Sequence, residues 1–305
     1  MPLSEAGLLR TLCFYTTLGY APTRAELMSE WDGGGNVEGG ACHVMPLQDA
    51  FRSLIDRGLM VEQRGRCVLS GHEDLILEHE RREALFSRKV RYARRAARWF
   101  ARLSGVRFIA LCNTTSLAHA RDEADLDFVL ITRAGTVWQT RAWSVFPFKL
   151  FRRRPHESHG RRDAVCLSFF LDDQHLDLSS LLLPDDVYFR HWFLSLLPLY
   201  DDGVGRAFWE ANALILQRHP FARTWAMSPD LAVHRPRVRI PMVRLVEPVA
   251  SRLQMRTFHP SIRAVMNRDT RVVVRDGVLK FHVEDGREAY REAYRALCNQ
   301  YDVEA

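Results

Sequence analysis

Val106-Arg-Phe-Ile-Ala-Leu-Cys-Asn-Thr-Thr-Ser116, followed after a polar spacer by Asp125-Leu-Asp127-Phe-Val-Leu-Ile-Thr132, is the stretch on which the fold of this chain turns. The first segment reads as an apolar strand running into a hydroxyl-rich turn. The second reads as another apolar strand, opened by two aspartates one residue apart. Alternate residues of a strand share a face, so Asp125 and Asp127 project together and Leu126 points the other way. Two carboxylates held that close repel each other, and a divalent cation is the usual reason to tolerate them. Oxygen-only ligands suit Mg²⁺, which takes one or two protein carboxylates and completes its shell with water or substrate phosphates.

This order of features resembles the nucleotidyltransferase superfamily that includes DNA polymerase beta. In that pattern a strand ends in Gly-Ser, a spacer follows, and Asp-x-Asp opens the next strand. Here Asn113-Thr114 stands where Gly-Ser is expected, Thr115 to Ala124 is the spacer, and Asp125-Leu-Asp127 matches the acidic pair. Thr114 keeps the hydroxyl that would touch a triphosphate oxygen. Asn113 departs from the pattern, although asparagine tolerates a left-handed backbone better than other non-glycine residues. A second register uses Thr115-Ser116 as the hydroxyl pair with a shorter spacer. The family pattern also implies a third carboxylate on a neighbouring strand. Ala164 to Leu171 is a strand by content, Asp172-Asp173-Gln174 a turn, and His175 to Leu178 the start of a further strand carrying Asp177. Asp177 is the expected third acid, with Asp172 in reserve.

The resemblance implies metal-assisted transfer of NMP from an NTP to an acceptor hydroxyl with release of diphosphate. Asp125, Asp127 and Asp177 would hold Mg²⁺, with Mn²⁺ as the alternative, and Asn113 and Thr114 would meet the nucleotide. Uncharacterised bacterial nucleotidyltransferases with an N-terminal winged helix look similar over much of the chain. The features carrying that likeness are Thr132 to Trp138 after the acidic pair and Leu279 to Arg287 near the C-terminus. From the latter segment Lys280 and His282, with Asp285 and Arg287, would face the nucleotide. The other reading of the same residues is a polar network that docks the last helix.

The first seventy residues look like a winged helix. Ser4 to Thr17 is a helix, and Thr23-x-x-Glu26 is a capping box opening a second helix toward Trp31. Pro46 starts a third helix, Leu47 to Arg57, closed by Gly58. Leu59 to Leu69 alternates around Gln63-Arg64-Gly65 as a hairpin. Residues 1–70 hold six arginines, no lysine and eight acids, a net charge of −2. Phosphate contacts supply most non-specific DNA affinity, so this unit is expected to be structural or protein-binding rather than a DNA reader. The Asp32 to Gly40 run lacks the Lys-Ser/Thr of a phosphate loop and reads as a flexible connection.

Positive charge collects elsewhere. Glu80 to Leu103 reads as one helix, with Phe86, Val90, Ala93, Ala97 and Phe100 as its buried stripe. Arg88, Arg91, Arg95, Arg98 and Arg102 line another face, a candidate RNA-binding surface. Lys149 and the arginines at 152–154, 161 and 162 form a second cluster around His156 and His159. Downstream, Asp201 to His219 and Val243 to Met255 read as helices. A short hairpin then spans Val272 to Val283, and Gly286 to Tyr301 closes the chain as a helix.

The expected architecture is α+β: a winged-helix domain over 1–72, a nucleotidyltransferase-type mixed sheet over 73–200, and a mainly helical region over 201–305. Apolar content of 47% and a formal charge of +6 are ordinary for a globular chain with sizeable cores. No stretch of eighteen apolar residues occurs and the N-terminus lacks a signal-peptide pattern, so a cytoplasmic, non-membrane protein is expected. The six cysteines are scattered without a C-x-x-C pair, which argues against a thiolate zinc site and a disulfide scaffold. Two functions from different classes follow. One is a Mg²⁺-dependent nucleotidyltransferase acting on RNA, protein or a small hydroxyl compound. The other is an inactive relative that binds partners through its winged helix.

Overall fold

The computed structural model describes residues 1–34, 44–150 and 162–305. The chain begins with α1 (Leu3–Leu18), α2 (Arg24–Ser29) and α3 (Val44–Asp56), then a hairpin of β1 (Met60–Gln63) and β2 (Arg66–Leu69). Local chemistry sets these boundaries. The Thr23 hydroxyl accepts from the Glu26 backbone N–H at 3.2 Å, and the Glu26 carboxylate accepts from the Thr23 N–H at 2.6 Å. This reciprocal pair satisfies two donors that helix geometry leaves open. The hairpin turns through Arg64 and Gly65, both left-handed (φ 54° and 73°), the twist that matches paired strands.

After α4 (Asp74–Glu83) and α5 (Phe86–Phe100) come β3 (Val106–Leu111), the short α6 (Asn113–Ser116), β4 (Leu126–Thr132), α7 (Val137–Leu150) and β5 (Val165–Asp172). The chain continues through α8 (Val187–Leu194), β6 (Leu197–Asp201), α9 (Gly205–Glu210), α10 (Ala213–Leu216), α11 (Glu247–Arg256) and α12 (Pro260–Val265). It closes with β7 (Val272–Arg275), β8 (Val278–Phe281) and α13 (Arg287–Gln300). Six strands form one mixed sheet in the order β6-β3-β4-β5-β8-β7. Among them β4 and β5 pair in parallel. A parallel pair needs a crossover, and α7 lies on it.

Both sheet faces are covered. Leu126, Phe128 and Leu130 share a core with Val90, Ala93, Ala97 and Phe100 of α5. Val129 and Ile131 point the other way, into a core with Phe189, Trp192 and Phe193 of α8 and Phe208 of α9. The N-terminal unit has its own core, which also takes in Val187, Tyr294 and Cys298. Val187 belongs to α8 and the other two to α13, so distant parts of the chain complete that core.

Several expectations change here. The helix expected over Glu80–Leu103 is two, broken at Ala84-Leu85, although the apolar stripe of α5 is buried apart from the half-buried Phe86. Asp201–His219 divides into α9 and α10, preceded by the unforeseen β6. The residues 175–178 are not a strand; they lead into a 3₁₀ turn over Ser179–Leu181. The C-terminal hairpin is not an appendage, because β8 pairs with β5 inside the main sheet. The division expected at 200/201 therefore falls within β6. The basic cluster at 152–154 and 161 with His156 and His159, and positions 35–40 of the glycine-rich run, lie outside the described residues. Among the described residues no helix is long and apolar enough to cross a membrane.

Candidate active site

Because β3 and β4 are antiparallel neighbours, the end of β3 meets the start of β4. That places the Asn113-Thr114 turn beside the acidic pair. The Cys112 N–H donates to the Asp127 carbonyl at 3.1 Å, and Thr115 Oγ1 donates to the Asp125 carbonyl at 3.4 Å. Asn113 has φ 59°, the left-handed conformation for which glycine is the usual residue. Its Oδ1 accepts from Tyr188 Oη at 3.3 Å, and its amide favours the ionised form of Asp127. Of the three hydroxyls that follow, Thr115 is tied to Asp125 and Ser116 Oγ donates to the Asn113 carbonyl at 2.7 Å. Thr114 lines a narrow cavity of about 20 Å³ shared with Phe14, Tyr15, Leu117 and Trp192.

A prediction follows from Asn113. Substitution by glycine or alanine removes the same side-chain hydrogen bonds, but only alanine carries a Cβ into the left-handed region. Asn113→Ala is expected to be less stable than Asn113→Gly by about 1–2 kcal/mol. Urea midpoints of the two variants measure that difference directly.

The acidic pair is electrostatically loaded. Burial, then the charge of Asp127, raises Asp125 to about 6, with Lys89 pulling the other way. Burial also raises Asp127, partly offset by Asn113 and Cys166. Among the described residues neither carboxylate takes part in a salt bridge. Lys89 is fully buried, and its ammonium holds the approach to the pair. It donates to the Asp122 carbonyl (3.2 Å), the Ala124 carbonyl (2.7 Å) and Asp163 Oδ1 (3.0 Å). Such a lysine fixes the loop that delivers Asp125.

The third acid is not where it was expected. In the parallel register Asp127 faces Cys166 at one end of β5, while Thr132 faces Asp172 at the other. Five residues of strand separate those ends by about 17 Å. Asp177 lies beyond Asp172, is exposed, and accepts from the Ser179 N–H (2.8 Å) and hydroxyl (3.0 Å). It caps a turn. Asp172 is engaged with the Gln174 N–H and with His175 Nδ1 at 2.7 Å. The position opposite Asp127 holds Cys166, whose thiol is pushed well up by burial and by the Asp127 charge. Alternation along Ala164–Leu171 was the available signal for Cys166 and Ser168.

Lys280 and His282 do share a cleft with Asn113. It has a volume of about 200 Å³ and is also lined by Tyr188, Trp192 and Tyr290. Lys280, however, is buried, with its ammonium donating to the Thr270 carbonyl (2.6 Å) and Asp285 (3.0 Å). Its charge is therefore committed to the protein rather than to a nucleotide. Arg287 is likewise bound to Asp285 and Asp186. His282 keeps one contact, between Nε2 and Ser168 Oγ at 3.0 Å. Among the described residues no group of three or more His, Cys, Asp or Glu is arranged to hold a metal ion. Two oxygen donors match one Mg²⁺ completed by phosphates and water. They do not make the three-carboxylate set that the resemblance implied.

Comparison of the chain with protein-family models, curated proteins and solved structures finds no match. What it does has to be read from these residues.

Proposed function

We propose that the chain is a nucleotidyltransferase that binds an NTP with one Mg²⁺ at Asp125 and Asp127 and passes NMP to an acceptor hydroxyl, releasing diphosphate. The observation that carries this reading is the acidic pair itself. Burial raises both carboxylates and the charge of Asp127 raises Asp125 further, no described cation forms a salt bridge with either, and the left-handed Asn113 turn carrying Thr114 sits alongside. A bound Mg²⁺ supplies charge neutralisation and orientation of the phosphates. The protein's own residues do the remainder. Lys89 and Thr115 hold the loop bearing Asp125, and Asn113 and Tyr188 hold the turn next to Asp127. The cleft of Tyr188, Tyr290 and His282 is where an acceptor would enter.

In this reading the N-terminal helices and hairpin are a winged helix with a structural or protein-binding role, and the sheet is of nucleotidyltransferase type. RNA would meet the protein along α5, where Arg91, Arg95, Arg98 and Arg102 are exposed. Arg88 is excepted, since it pairs with Asp122 and Asp163. That helix covers the sheet face opposite the acidic pair, so RNA held there would have to cross to the cleft.

Incubation with each α-labelled NTP, Mg²⁺ and total RNA or protein extract tests the proposal. Label transfer is expected, abolished by EDTA and lowered by about 10²–10³-fold in Asp127→Ala, the loss of several kcal/mol of charge stabilisation. A second reading is supported by the thiol of Cys166 opposite Asp127 and by the confined cavity around Thr114. In it the site binds nucleotide without transfer, and the same assay would then give Mg²⁺-dependent NTP binding but no labelled product.

A further inference from the structure

We infer that His282 is the proton acceptor for the attacking hydroxyl, oriented by Ser168. This rests on the transferase reading above and supplies the group that the misplaced third carboxylate leaves missing. The sheet puts the participants in one row. Asp127 on β4 faces Cys166 on β5, Ser168 follows two residues later, and β5 pairs with β8, which runs directly into His282. Leu279 and Phe281 pack into the α5-side core, so Lys280 and His282 emerge on the opposite face, the one Asp127 shares with Val129 and Ile131. Two strand spacings separate β4 from β8, about 10 Å, room for a hydroxyl between a carboxylate and an imidazole.

The ring's hydrogen bonding leaves one nitrogen available for that role. Ser168 Oγ lies 3.0 Å from Nε2, and among the described residues Nδ1 has no hydrogen-bond partner. The Nε2–H tautomer, donating to Ser168, leaves a lone pair on Nδ1, and His282 is one of the residues lining the cleft. Burial, with Lys280 and Arg287 nearby and Asp285 opposing, lowers the imidazole to about 4, so at pH 7 it is neutral with its lone pair unprotonated, although a weaker base than a free histidine. In the step, the acceptor oxygen forms a bond to the α-phosphorus and its proton moves to Nδ1. The bond from that phosphorus to the bridging oxygen breaks, and diphosphate departs with the electron pair. The imidazolium then releases its proton to solvent. A base held by a hydrogen bond on its far nitrogen is a recurrent catalytic arrangement.

The test compares wild type with His282→Gln, His282→Ala, Ser168→Ala and Asp127→Ala, reading kcat, KM for NTP and recovery by added imidazole. His282→Gln keeps a polar side chain of similar reach and is expected to lose about 10²–10⁴-fold in kcat with NTP KM little changed. Imidazole is expected to restore turnover in His282→Ala, which a purely structural role would not allow. Ser168→Ala is expected to lower kcat less, by freeing the ring without removing it. NMR titration of the His282 ring gives a readout independent of turnover, and a neutral ring at pH 7 is expected. Wild-type transfer that Asp127→Ala abolishes but His282→Gln retains would overturn this role alone. A wild type as inert as Asp127→Ala would overturn the transferase reading together with it, and a ring protonated at pH 7 would overturn the role whatever the turnover.

Discussion

Replacing Arg287 by alanine is expected to destabilise the protein by about 3–5 kcal/mol, because it leaves buried charge uncompensated. The side chain is 5% exposed and joins four segments. Nη1 donates to the Leu181 carbonyl (2.9 Å) and Asp186 Oδ2 (2.6 Å), Nε to Asp285 (2.9 Å), and Nη2 to the Thr270 hydroxyl (2.6 Å). Asp186 meanwhile caps α8 by accepting from the Phe189 N–H at 3.0 Å. Burial by itself would raise Asp285, yet Arg287 and then Lys280 outweigh it and hold the carboxyl down at about 2. Alanine would remove the main partner of both acids and loosen the corner where β8 turns into α13. Arg287→Lys should recover little, since an ammonium cannot reproduce the forked contacts. Urea unfolding of the three proteins checks this. A loss below about 1 kcal/mol would mean that Lys280 and water can replace the guanidinium, and would contradict the account.

This network shows which parts of the molecule sequence reasoning can reach. The capping box at Thr23 and Glu26, the Arg64-Gly65 turn and the apolar stripe of α5 depend on neighbours within a few residues, and all appear as expected. Of the acidic pair, Asp127 lies within β4 as the alternation suggested, but Asp125 precedes the strand on a loop held by Lys89 and Thr115. The partner opposite Asp127 was not legible, because it depends on which strand pairs with β4 and in what register. Asp177 was chosen by family pattern and chain order, and the register sends it to the far end of the sheet. Strand β6 was hidden by Pro198, a residue that discourages a strand reading but is tolerated at the sheet edge this strand occupies. By helical spacing Lys89 falls on the side of the apolar stripe, three residues after Phe86 and four before Ala93, where no lysine is expected. Its burial arises from carbonyls 33 and 35 residues away, which no local pattern announces.

Acidification is expected to destabilise the protein as pH falls from about 6.5 toward 4, and the buried pair His79 and His119 is one of the reasons. Both rings are buried, stacked at a centroid distance of 5.2 Å, and joined through their Nδ1 atoms at 3.1 Å. Arg82 donates to His119 Nε2 at 2.7 Å. That contact requires His119 to carry its proton on Nδ1 and donate it to His79, so both rings are neutral in this arrangement. Burial, then Arg66, lowers His79 to about 4, with Arg82 adding to the effect and Glu83 and Glu26 opposing it. Burial, then Arg82 and His79, lowers His119 to about 3, with Arg121 adding and the Gly19 backbone opposing. A free histidine titrates near 6.5. Between that value and about 4 the unfolded chain therefore binds protons that the native state refuses. The stabilisation is complete above pH 6.5 and is lost as pH falls toward 4, by about 3 kcal/mol for His79 alone. His191 and His219, lowered to about 3 and about 4, act in the same direction. Glu30 acts oppositely: burial raises it to about 7, so its ionisation weakens the fold as pH rises through neutrality. Urea midpoints at pH 7.5, 6 and 5 should therefore fall steadily, and a His79→Phe/His119→Leu variant should fall less steeply. Parallel slopes in the two proteins would assign the acid response elsewhere. The consequence for the site is local, because the His119 N–H donates to the Thr114 carbonyl at 2.8 Å and the ring anchors the spacer between that turn and Asp125. Protonation of the pair would release this spacer first, separating the Asn113-Thr114 turn from the acidic pair before the sheet itself comes apart.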